Sequence, residues 1–99
     1  MKLFSDVVKA ACDVFSIGQR ELISDSRMPH VIRARKALYV ILRDQRRWSY
    51  ARIGRHLRRD HSSVCKGIKR TRVLMVKDPT YRAQIELLAE IIAGDGCNA

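Results

Sequence analysis

Asp60, His61, Ser62 and Ser63 set a carboxylate, an imidazole and two hydroxyls at consecutive positions. Groups of this kind read base edges: a carboxylate accepts from the cytosine amino group, an imidazole bonds a purine edge, and a hydroxyl can do either. Cleavage chemistry would need a nucleophile beside a base, a metal-ligand set or a paired acid, and the sequence shows none of these. An enzyme is therefore not expected. The run follows a short helical pattern and opens a long basic one, as in a helix-turn-helix. Asp60 can cap the second helix by accepting from its first free N–H groups, which puts the next three residues in the turn that recognition helices press against bases.

Charge supports a polyanionic partner. The 99 residues carry 20 Lys and Arg against 10 Asp and Glu, for a net charge of +10. From residue 27 to 72 there are 15 basic residues and only two acids, Asp44 and Asp60. Nucleic acid outranks a membrane surface, because the basic segment lacks the apolar face of an interfacial helix, Trp48 excepted. No apolar run approaches the roughly 18 residues of a membrane span. Cys12, Cys65 and Cys97 are odd in number and widely spaced, which fits a reducing cytoplasm and no structural zinc. No cofactor is expected.

The elements that must position these groups are all helical. Ser5 can cap a first helix with Val7, Val8, Ala11, Cys12 and Phe15 on one face, and Gly18 follows its end. A short second helix covers 19–24, and a loop over 25–30 precedes a third helix that starts at Pro29 or Val31 and ends at Gln45. Val31, Ala34, Ala37, Leu38, Ile41 and Leu42 form its apolar stripe. Ser49 can cap a fourth helix over 50–57, in which Gly54 permits close packing. A fifth runs over 61–76 and buries Val64, Cys65, Ile68, Thr71 and either Leu74 or Met75. Asp78-Pro79 is a cap followed by proline at the first helical position of a sixth, which Gly94 ends. Residues 95–99 should fray. The expected architecture is one all-α domain over 1–99, a compact bundle of about six helices containing a helix-turn-helix.

From about Val7 to Ile92 the chain resembles the C-terminal DNA-binding domain of the bacterial replication initiator DnaA. Arg59-Asp60-His61-Ser62-Ser63-Val64 is similar to that family's Arg-Asp-His-Thr-Thr-Val, Val31-Ile32-Arg33-Ala34-Arg35-Lys36 to its Val-Ala-Arg-Pro-Arg-Gln, and Ser49 to Gly54 to its Ser-x-x-x-Ile-Gly. The resemblance implies that Asp60, His61, Ser62, Ser63 and Gly67 stand at base-reading positions. It implies that Arg27 enters a minor groove, where a narrow A·T tract attracts guanidinium. Arg35, Lys36, Arg43, Ser49, Arg59, Lys66 and Arg70 would hold phosphates and so fix register; Ser49 serves equally well as a plain cap.

Three departures stand out. The family's paired glycines before Arg-Asp-His are absent and the turn is a residue shorter, with Arg58 and Arg59 where glycine would allow left-handed backbone. Two serines replace threonines, losing the methyl that packs on thymine, and Gly67 replaces alanine at a cost of roughly 1 kcal/mol in helix stability. No phosphate-binding loop of a nucleotide motor occurs. The resemblance thus implies a free-standing binder of double-stranded DNA in the cytoplasm, at the nucleoid, that regulates replication initiation or transcription and takes no nucleotide. The rival expectation is an adaptor for the initiator, replication machinery or a protease, with the N-terminal helix and the acidic C-terminal helix as its interface.

Overall fold

In the computed structural model, which describes residues 3–94, the chain forms α1 (Phe4–Phe15), α2 (Gln19–Ile23), α3 (Pro29–Gln45), α4 (Tyr50–Leu57), α5 (His61–Lys77) and α6 (Pro79–Gly94), with no strand among the described residues. The axle is α3, which touches each of the other five helices. Its residues explain why: Val31, Ala34 and the whole run 37–42 are buried, so apolar groups face outward on nearly every side. Leu38, Ile41 and Leu42 meet Leu22 of α2, Ile53 and Leu57 of α4, Val64 of α5 and Leu88 of α6 in one core. Each such side chain contributes about 1.5–3 kcal/mol by leaving water.

The helix starts follow the local chemistry. Pro29 opens α3 at a position whose N–H has no intrahelical partner. The Asp78 carboxylate accepts from the Tyr81 N–H at 3.1 Å and begins α6, while the Arg33 guanidinium pairs with it and holds it below the usual carboxylate range. At α1 the expected cap is corrected. Ser5 lies inside the helix, which begins at Phe4, and Asp6 closes it from within by accepting from the Leu3 N–H at 3.2 Å. Residues 95–99, including Cys97, lie outside the described residues.

Two burial expectations change. Trp48 is 8 % exposed, stacked on Phe4 at 5.6 Å between ring centroids with the Arg52 guanidinium 4.2 Å from its ring. Cys65 is only half-buried, because it flanks the inward stripe of α5 formed by Val64, Gly67, Ile68 and Thr71. No helix among the described residues is long and apolar enough to cross a membrane.

Tyr81 locks α6 to α3: its hydroxyl donates to the Arg33 carbonyl at 2.6 Å, and burial pushes its phenol up to about 12. An unfolded tyrosine titrates near 10, so the folded chain binds the extra proton between those values. The stability linked to this phenol is complete below about pH 10 and is lost as pH rises through about 12. Tyr81→Phe should flatten that alkaline limb in Tm against pH, at a cost of about 1 kcal/mol at neutral pH for the lost hydrogen bond. A limb as steep as wild type would mean that another group sets it.

Candidate nucleic-acid interface

The site begins at α4. The Ser49 hydroxyl accepts from the Arg52 N–H at 3.1 Å, so the cap expected there is present. Ile53 and Leu57 anchor the helix inward, and Gly54 brings it against the turn that follows. A β-carbon at Gly54 would stand 2.3 Å from the Arg59 carbonyl oxygen. The turn reverses through Arg58, at φ 56° and ψ 48°, and the Arg59 N–H donates to the Gly54 carbonyl at 2.8 Å. Arginine therefore occupies a left-handed position that glycine would adopt without steric cost.

Asp60 then starts α5. One carboxylate oxygen accepts from the Ser62 N–H at 3.2 Å and the other lies 3.8 Å from His61 Nδ1. Capping leaves the carboxylate accessible: the two side chains are 66 % and 67 % exposed. Ser62, Ser63, Lys66, Lys69 and Arg70 are exposed along the helix beyond them. Lys69 belongs with Lys66 and Arg70 although no motif marks it, since it falls opposite the inward stripe at helical period.

Gly67 requires a correction. It is buried, and a β-carbon there would sit 3.2 Å from the Tyr39 ring, so its task is the close approach of α5 to α3 rather than contact with a base. Lys36 lies at the same crossing, half-buried, with its stem beside Gly67 and no ion pair among the described residues.

Two of the expected phosphate ligands turn inward. Arg35 is 6 % exposed; its Nε donates to the Leu22 carbonyl at 3.0 Å, and its terminal nitrogens donate to the carbonyls of Ser24 at 2.6 Å and Ser26 at 3.3 Å. Burial pushes this guanidinium below its ordinary value, and the neighbouring Arg59 charge acts in the same direction. Arg59 reaches from the helix-turn-helix to the same loop, donating to the Ser24 carbonyl at 2.7 Å and pairing with Asp25 at 3.4 Å. Carbonyls that end a helix need donors, and here two arginines supply them. Both are clamps on the segment that carries Arg27, not free phosphate contacts.

Arg27 itself is exposed on the α2–α3 connection, at the edge of a depression of about 430 Å³ lined also by Asp25, Ser26, Ile32, Arg35 and Arg59. Because Arg59 ties this loop to the turn before Asp60, the exposed arginine and the polar first turn of α5 are held as one unit. Arg43 is half-buried, donating to the Trp48 carbonyl at 3.0 Å with its guanidinium 4.6 Å from the Tyr50 ring, so it braces the α3–α4 turn first. Among the described residues no group of three or more His, Cys, Asp or Glu could hold a metal ion.

A short helix anchored by one inward face, a tight turn and a long helix with an exposed, cation-flanked first turn define a helix-turn-helix domain. The family model of the bacterial dnaA protein helix-turn-helix matches residues 4–71, and the chain belongs to that family. It is similar to the chromosomal replication initiator protein DnaA of Oleidesulfovibrio alaskensis, 28 % identical over 90 residues, which cover 91 % of this chain and 20 % of the relative. The DnaA proteins of Mycoplasma pneumoniae and Mycoplasma genitalium are each 26 % identical, over 77 % and 83 % of this chain and 17 % and 19 % of their own lengths. The chain thus spans about a fifth of the relatives it matches.

Proposed function

We propose that this chain acts as one domain that binds double-stranded DNA at a short box related to those read by the DnaA family, and that its occupancy of such boxes regulates replication initiation or transcription. The observation that carries the reading is the exposed first turn of α5, where Asp60, His61, Ser62 and Ser63 are followed by Lys66, Lys69 and Arg70 with no ion partner among the described residues. Arg27, held by the Arg35 and Arg59 clamps, would enter the adjoining minor groove. The net charge and the family membership support the same partner. Action at the nucleoid in the cytoplasm, alongside the replication machinery, follows from this reading.

The test is selection of bound duplexes from a random library, followed by His61→Ala on the selected box. The substitution should cost roughly 1–3 kcal/mol on the selected box and leave unrelated duplex nearly unaffected. Equal losses on both DNAs would show that His61 reads no base. Binding should also weaken by orders of magnitude between roughly 50 and 200 mM salt. One observation favours the adaptor reading: α6 exposes Leu87 and Ile91 beside Glu86 and Glu90. That reading gains if no selected duplex emerges.

A further inference from the structure

Both ends of α4 are marked by an arginine in a conformation that arginine rarely adopts. Arg47 precedes the helix and Arg58 follows it, each at φ 56°. A left-handed residue is a common way for a helix to stop, and here Arg47 follows the end of α3 and Arg58 the end of α4. Ser16 has the same φ at the end of α1, so strain by itself assigns nothing. What sets the two arginines apart is their side chains. Both residues are exposed, and neither guanidinium has a partner among the described residues. Most other arginines in this region are engaged, Arg33 by Asp78, Arg35 and Arg59 by the 24–26 loop, Arg43 by Trp48 and Arg72 by Asp44.

The surroundings of each favour an anion. Arg47 borders a depression of about 530 Å³ with Arg43, Asp44 and Arg72, and the one carboxylate there is taken by two hydrogen bonds from Arg72, at 2.8 and 3.0 Å. Arg58 borders a second depression, of about 430 Å³, with Gln19, Arg20, Ile23 and Ser24, in which no carboxylate takes part. The first helix of a helix-turn-helix crosses the DNA backbone, and α4, eight residues long, spans about 12 Å. We propose that Arg47 and Arg58 are a pair of phosphate anchors that grip the DNA backbone at either end of α4, one of them in place of the glycine that the turn would otherwise take. Arg58 adds cationic contact where a glycine would have added only ease of folding. The proposal rests on the reading of the chain as a duplex-DNA binder.

Stability and affinity should therefore move in opposite directions. Arg47→Gly and Arg58→Gly each relieve a left-handed arginine and should raise Tm by about 4 °C. On a 20-base-pair duplex carrying the selected box, each should weaken binding about tenfold at roughly 50 mM salt and reduce the slope of log K against log salt by about 0.9, with the double variant losing about twice that. Arg47→Lys and Arg58→Lys keep both charge and strain, so Tm and slope should stay near wild type. A wild-type chain that binds the duplex while the glycine variants keep its full slope overturns the anchors and leaves the function reading intact. A wild-type chain that binds no duplex overturns both. Glycine variants that lose binding together with Tm would show a structural role and also overturn the anchors.

Discussion

Gly54→Ala should destabilise the fold by about 3 kcal/mol, which for a domain of this size lowers Tm by roughly 15 °C. The sign runs against helix propensity, since alanine in a helix interior is ordinarily favoured over glycine by about 1 kcal/mol. Space decides the matter. The new β-carbon would stand 2.3 Å from the Arg59 carbonyl oxygen and 3.4 Å from its carbon, and both atoms belong to backbone that cannot swing aside as a side chain could. Relief requires the 58–60 turn to move off α4, which breaks the 2.8 Å bond from the Arg59 N–H to the Gly54 carbonyl. Motion of Arg59 also pulls its guanidinium from the Ser24 carbonyl, so the Arg27 loop should loosen together with the turn. Thermal unfolding followed by circular dichroism checks the magnitude. A variant as stable as wild type would show that α4 and the turn are not in close contact.

The helices were legible because their signals are local. Pro29, Ser49, Asp60 and Asp78-Pro79 each act within a few residues of themselves, and the elements begin where those residues place them. The first turn of α5 was legible for the same reason, through a cap and a period. Gly67 falls on the inward stripe by period alone, three residues from Val64 and four from Thr71, whereas the family resemblance implies a base contact there. Trp48 and Arg59 were not legible. Their partners lie far away in sequence, Phe4 for the ring and the Ser24 carbonyl for the guanidinium, and such contacts exist only once α1, α2 and α4 have assembled on α3. The clamp on the Arg27 loop is thus a tertiary property written in residues that look, one at a time, like surface cations.

Arg35 sharpens this conflict and carries the second large effect. Four residues after Val31 and three before Leu38, it sits within the apolar stripe of α3, where period demands burial, while its charge and the family match suggest a phosphate. The two readings predict different outcomes. A phosphate ligand replaced by an uncharged residue would leave Tm unchanged and reduce the salt slope by about one contact. In the clamp reading, Arg35→Met removes the donor to the Leu22, Ser24 and Ser26 carbonyls and replaces only the aliphatic stem, leaving the guanidinium's place open. Hydrogen bonds from a charged donor contribute about 1.5–3 kcal/mol each and are not additive, so a loss of about 3 kcal/mol is expected, with some offset from the methionine stem. Arg59 retains the Ser24 carbonyl, which should keep the loop partly attached. Binding to the selected box should then fall while the phosphate slope stays near that of wild type, because the defect lies in where Arg27 is held and not in the count of phosphates. Amide exchange in residues 24–28 should accelerate in parallel. An unchanged Tm with a shallower slope would return Arg35 to the DNA backbone and leave the 24–26 carbonyls to Arg59.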